Sequence, residues 1–224
     1  MDKLLRKLDG PKENDRALRR MVIEAALAIS REGLSPGRSG NISTRTAGGM
    51  LITPTGMAYD LLREENIVFV GENGKTRPGS LQPSSEWQMH NAIYAMRPET
   101  GAIVHCHSMN ATALACAGRP IPAFHYMVAV AGGTDIPLVP YGTFGTRELA
   151  MSVVAALRDR KAALLAHHGQ IACGPDLAAA LDLAREVETL AGQYCRVLQI
   201  GGGPLLDAVE MRRVLEKFQG YGQQ

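Results

Sequence analysis

Four of the six histidines of this chain stand in two pairs, His105 with His107 and His167 with His168. The first pair ends an apolar run, Ala102-Ile103-Val104-His105-Cys106-His107. Side chains at i and i+2 of a strand share a face, so a strand here aims both imidazoles to one side and Cys106 to the other. Two imidazoles on a rigid strand are half of a transition-metal site. The second pair ends another apolar run. Adjacent strand residues point oppositely, so only one of His167 and His168 can join the first pair unless the turn at Gly169 re-aims the other. A lone H-x-H is a weak signal, and the second pair strengthens it. Each ligand also needs an acceptor for its other ring nitrogen.

Glu86 lies in Pro83-Ser84-Ser85-Glu86-Trp87. As a first-turn helix acid it is favoured by the macrodipole; beside the histidines it is a candidate ligand. His90 follows at i+4 on the same helix face, either a rival ligand or a structural partner. Three loops carry hydroxyls, backbone N–H groups or a helix start suited to a phosphate: Gly37-Arg38-Ser39-Gly40-Asn41, Thr53-Pro54-Thr55-Gly56 and Pro83-Ser84-Ser85. None is a Walker loop, and no glycine cluster forms a Rossmann fingerprint.

The elements that must position these residues follow from periodicity and punctuation. Asn14 or Asp15 caps a helix to about Glu32, with Leu18, Met21, Val22, Ala25, Ala26 and Ile29 on one face and Gly33 at C′. Residues 41–46 and 50–53 around Gly48-Gly49 read as a hairpin, and 67–70 as a further strand. A helix covers 86–96, a buried strand 102–106, a short helix 110–117 and a short strand 137–139. Thr146 caps a helix through Leu157; strands 163–166 and 171–173 flank His167-His168-Gly169; helices cover 177–199 and 208–218. Several strands join through hairpins, which predicts a largely antiparallel sheet in an α/β protein.

The 224 residues show no repeat and no Pro/Gly/Ser-rich linker, so the chain reads as one domain. Its 24 basic and 22 acidic residues leave +2, too balanced for a nucleic-acid coat or a polybasic membrane clamp. No apolar h-region follows Met1-Asp2-Lys3, and the charge-free stretch 101–118 holds His105, His107, Ser108 and Asn110, costly in lipid. A signal peptide and a membrane span are therefore not expected. Cys106, Cys116, Cys173 and Cys195 form no C-x-x-C pair and read as reduced thiols of a cytoplasmic protein.

Taken together, Gly-Asn-Ile-Ser (40–43), Leu-Ile-Thr-Pro-Thr-Gly (51–56), Ser-Ser-Glu-Trp (84–87), Val-His-Cys-His-Ser (104–108), His-Tyr-Met (125–127), Phe-Gly-Thr-Arg-Glu (144–148) and Leu-Ala-His-His-Gly (165–169) resemble the class II aldolase/ribulose-phosphate epimerase superfamily. The resemblance implies a three-layer α/β/α sandwich around a mostly antiparallel sheet. It implies one domain over 1–224 with a flexible tail from about 219. It also implies a homotetramer with active sites at subunit boundaries. It assigns one zinc ion to His105, His107 and His168, with Glu86 as both resting ligand and catalytic base. Phosphate falls to Gly40, Asn41, Thr55, Gly56, Ser84 and Ser85. Tyr126 of a neighbouring subunit becomes a proton donor, and Phe144 and Tyr221 shape and close the site. Arg38 stands where the resemblance has a small hydroxyl residue; it either adds a phosphate contact or points to solvent, and solvent is favoured because no second feature supports a contact.

The implied activity is reversible retro-aldol cleavage of a phosphorylated ketose, like L-fuculose 1-phosphate, to dihydroxyacetone phosphate and a small aldehyde such as lactaldehyde. Cleavage of 5-deoxyribulose 1-phosphate or 5-methylthioribulose 1-phosphate stands beside it. Dehydration of the latter and 4-epimerisation of ribulose 5-phosphate rank lower. A non-catalytic scaffold, expected to lack the glutamate or a histidine, ranks below the enzymes.

Overall fold

The computed structural model describes residues 13–218. Seven strands form one sheet: β1 (Asn41–Thr46), β2 (Gly49–Ile52), β3 (Val68–Gly71), β4 (Ala102–Cys106), β5 (Leu138–Val139), β6 (Ala162–Leu165) and β7 (Gly169–Gly174). They lie in the order β3-β2-β1-β4-β7-β6-β5. Every neighbouring pair is antiparallel except β5 with β6. Hairpins join β1 to β2, as the Gly48-Gly49 turn predicts, and β6 to β7.

Among the described residues six α-helices cover the sheet: α1 (Glu13–Arg31), α2 (Trp87–Met96), α3 (Met109–Cys116), α4 (Arg147–Ala156), α5 (Leu177–Gln199) and α6 (Ala208–Phe218). Strand alternation sorts the core into two layers. Ala102, Val104 and Cys106 of β4 pack with α1, α3 and α5, whereas Ile103 packs on the other face with α2 and α4. The result is the expected helix–sheet–helix sandwich. The second face therefore carries His105 toward α2, and Asn41 and Ser43 with it, because Ile42 packs on the first face.

Helix ends mostly follow the sequence signals. Thr146 Oγ1 accepts from Leu149 N at 3.3 Å and Asp176 Oδ1 from Ala179 N at 2.8 Å, each a side-chain N-cap. Gly33 adopts φ 72° past the end of α1, the left-handed conformation a C′ residue requires. α1 already includes Glu13, ahead of the expected cap; Asp15 lies inside it and accepts from Thr46 Oγ1 at 3.4 Å. β7 starts at Gly169, two residues earlier than the apolar pattern implied. The turn region after His125 is a 3-10 helix, Tyr126–Ala131, which the sequence did not announce. Among the described residues no helix is long and apolar enough to cross a membrane.

Candidate metal centre and substrate cavity

β4 ends at Cys106, so His105 is its penultimate residue and His107 lies just beyond it. Both nonetheless face one point: His105 Nε2 and His107 Nε2 are 3.1 Å apart. The third histidine comes from the β6–β7 hairpin. His167 and His168 lie in its loop, not on a strand, and His167 takes φ 54°, the one left-handed non-glycine among the described residues. That turn re-aims the chain so that His168 points at His105 and His107. The three rings are mutually near-perpendicular, with centroids 4.7–4.9 Å apart. Gly169 makes the approach possible, since a Cβ there would lie 2.5 Å from Cys106 O and 2.8 Å from the His107 ring.

Glu86 occupies the N-cap position of α2 and closes the group. Its Oε2 is 3.0 Å from His105 Nε2 and its Oε1 3.3 Å from His168 Nε2. Oε2 also accepts from Asn41 Nδ2 at 3.0 Å, whereas Oε1 is buried with no hydrogen-bond partner. One donor atom from each of Glu86, His105, His107 and His168 falls within 4.8 Å of the others.

The chemistry of this donor set fits a divalent cation. His105 Nδ1 is 2.8 Å from the Gln170 carbonyl, which can only accept, so Nδ1 carries the proton and Nε2 is free to bind. Burial pushes His107 down to about 3 and His168 to about 4, so both offer lone pairs at neutral pH. Burial would raise the Glu86 carboxyl, but the His105 and His168 rings and the Asn41 amide outweigh it and hold it well below the usual range. Burial opposes protonation of His105 while the Glu86 carboxylate favours it, and the carboxylate wins. An ionised carboxylate facing three imidazole nitrogens, with one oxygen orphaned, is a buried site short of positive charge.

A cavity of about 410 Å³ opens onto this centre. Its lining includes all three phosphate-loop segments, with Gly40, Asn41, Thr55, Gly56, Ser84 and Ser85, and Glu86, His107, His168 and Phe144. His105 is fully buried behind them. The Thr55 and Ser84 N–H groups already donate to Gln82 O and Thr53 O, at 3.1 and 3.0 Å. The side-chain hydroxyls of Thr55, Ser84 and Ser85 are therefore among the donors this cradle has for an anion. Asn41 spends its amide on Glu86 and on His90, whose Nε2 lies 2.6 Å from Asn41 Oδ1. His90 thus stands behind Asn41 as a structural partner, outside the ligand cluster.

Arg38 fits both of its readings in part. It is exposed, yet it lines the cavity, and its Nη1 donates to Gly56 O at 3.0 Å, tying the first loop to the second. It is the only lysine or arginine among the described lining residues. Tyr141 also lines the cavity; a lone tyrosine in a Pro-Tyr-Gly loop gives no sequence signal. Tyr126 lies elsewhere, 50% exposed, beside a separate groove formed with Phe124, Leu206 and Val214. Tyr221 and the tail from about 219 lie outside the described residues.

Known proteins share both sequence and fold. The family profile described as "Class II Aldolase and Adducin N-terminal domain" matches residues 20–195. A 5-methylthioribulose-1-phosphate/5-deoxyribulose-1-phosphate aldolase of Rhodospirillum rubrum is 54% identical over 206 residues, 92% of this chain and 93% of that protein. An L-fuculose phosphate aldolase of Escherichia coli is 52% identical over 206 residues, 92% of this chain and 95% of that one. A solved L-fuculose 1-phosphate aldolase superposes with a TM-score of 0.87 at 38% identity, covering 91% of this chain and 96% of its own. With that kinship and a complete metal-ligating cluster at the mouth of the cavity, the chain belongs to the class II aldolase family and is a metal-dependent enzyme of the aldehyde-lyase type.

Proposed function

We propose that the chain catalyses reversible, zinc-dependent retro-aldol cleavage of a ketose 1-phosphate to dihydroxyacetone phosphate and a small aldehyde. The observation that carries this reading is one cavity holding both a three-histidine, one-carboxylate centre and a hydroxyl-rich anion cradle. A zinc ion held by His105, His107 and His168 supplies Lewis-acid stabilisation of the negative charge that develops beside a ketone. Thr55, Ser84, Ser85 and Arg38 hold the phosphate and fix the reacting carbon next to Glu86.

In the condensation direction Glu86 Oε1 takes a proton from the hydroxymethyl carbon of dihydroxyacetone phosphate. That carbon then bonds to the aldehyde carbon, and a tyrosine hydroxyl gives its proton to the aldehyde oxygen. Cleavage runs the same transfers backward. Tyr126 is assigned that hydroxyl. It does not line the cavity of its own chain, so a neighbouring copy supplies it, in keeping with a homotetramer whose sites lie at subunit boundaries. Tyr221 is assigned to closing the site.

L-Fuculose 1-phosphate, 5-deoxyribulose 1-phosphate and 5-methylthioribulose 1-phosphate share a terminal methyl or methylthio group. The exposed Tyr141 and Phe144 rings at the cavity offer an apolar surface for it. The 54% identical relative favours the five-carbon pair and the 52% identical one L-fuculose 1-phosphate. The test is a panel of these phosphates with released dihydroxyacetone phosphate as readout. Triose phosphate from at least one supports the reading; a diketone or an isomer as the sole product from all of them refutes it.

A further inference from the structure

β1 and α2 run side by side with matched spacing. Two strand residues advance about 6.6 Å and four helix residues about 6 Å, so alternate residues of one meet every fourth residue of the other. Asn41, Ser43 and Arg45 thereby interleave with Glu86, His90 and Tyr94. The contacts are continuous and buried. Asn41 Nδ2 reaches Glu86 Oε2 at 3.0 Å, His90 Nε2 lies 2.6 Å from Asn41 Oδ1, Ser43 Oγ lies 2.7 Å from His90 Nδ1, and Tyr94 OH lies 2.8 Å from Ser43 Oγ. The Arg45 guanidinium covers the Tyr94 ring at 4.7 Å.

One end of this chain sets its direction. An ionised Glu86 only accepts, so Asn41 must turn its NH2 to it and its carbonyl oxygen to His90. His90 Nε2 must then carry the proton. Burial pushes this ring down to about 3, so it is neutral and Nδ1 is a lone pair. Ser43 therefore donates to Nδ1, and the Tyr94 hydroxyl, which burial keeps protonated, donates to Ser43. Turned round, the chain would place two acceptors face to face at Glu86.

We propose that His90, backed by Ser43 and Tyr94, is a positioning residue that locks the Asn41 amide, so that Asn41 holds Glu86 Oε2 and leaves Oε1 as the oxygen that exchanges the proton. This deepens the reading of Glu86 as the acid–base carboxylate and rests on it. Oε1 is the oxygen with no hydrogen-bond partner, and it belongs to a residue that lines the cavity. An Asn41 amide free to rotate would hold either oxygen or neither, and the reacting geometry would be lost at nearly unchanged substrate affinity.

Two measurements test this. In the metal-free protein, 15N NMR of the imidazoles is expected to show His90 as the Nε2–H tautomer. A proton on Nδ1 overturns the proposal without any assay of activity and leaves the role of Glu86 untouched. In the zinc enzyme, His90→Asn reaches the Ser43 side of the ring position but not Asn41, whereas His90→Gln can still donate to Asn41 Oδ1. His90→Asn is expected to lower kcat about tenfold or more with KM within about threefold and zinc content unchanged, and His90→Gln to recover kcat to within about threefold of the parent. A parent-like kcat in His90→Asn, or equal losses in both variants, overturns it.

Discussion

Glu86→Gln removes one charge and one basic oxygen with almost no change of shape. Oε2 sits against the Asn41 NH2 group at 3.0 Å, so the glutamine oxygen takes that place and its NH2 group replaces Oε1, 3.3 Å from His168 Nε2. The atom assigned to take the proton thus becomes an amide nitrogen with no useful basicity. Positioned general bases contribute roughly 10²–10⁴-fold, about 3–5 kcal/mol of barrier, so kcat should fall by that factor. The three imidazoles remain, so zinc should stay bound, measured by elemental analysis of the same samples. The decisive assay is the exchange of the hydroxymethyl proton of dihydroxyacetone phosphate into D2O, followed by NMR. It reports proton abstraction alone, without the aldehyde or the tyrosine. Exchange should be lost in step with turnover. Near-parent exchange with zinc retained would remove Glu86 from the proton transfer and refute the mechanism.

Arg38→Ala should raise KM for the ketose 1-phosphate about tenfold with kcat within about twofold, the loss of one charge-assisted phosphate contact discounted for its exposure; an unchanged KM would return Arg38 to solvent. His107→Ala should reduce bound zinc far below one ion per chain, because only two imidazoles remain and no further His, Cys, Asp or Glu among the described residues joins the cluster; full zinc occupancy would show that the cluster is not the site. In the metal-free protein, thermal stability should fall between pH 7.5 and pH 5. His90, His107 and His168 are all held below their ordinary 6.5, so the unfolded chain binds more protons and gains stability as pH drops through that value. His90, pushed to about 3, alone accounts for about 2 kcal/mol at pH 5, whereas His105, held high by Glu86, opposes the trend. The Glu86 contribution is complete above 4.5 and is lost only below it, outside this window. A melting temperature that is flat or rising toward pH 5 would contradict these assignments.

Periodicity made most of this architecture legible because one physical rule governed each element at a time. The apolar run 102–106 is a strand to the residue, and α5 covers the expected 177–199, since alternation or helical repeat and burial agree along each. The site failed to be legible where two rules competed. Strand alternation alone would separate His167 from His168, but a hairpin with a left-handed histidine overrides it, and residue type does not announce that conformation. The i,i+4 spacing of Glu86 and His90 was correct about their shared face and silent about what lay between them. Only the packing of β1 alongside α2 inserts Asn41 there and turns a rival ligand into a support. The sequence could not choose between the two readings of Arg38 for a related reason: a long exposed side chain has its address fixed by its tip, and the tip reaches Gly56 O. Tyr126 poses the largest gap: it does not line the cavity of its own chain, and the fold shows it as a half-exposed aromatic beside a separate groove, a placement the sequence alone did not signal.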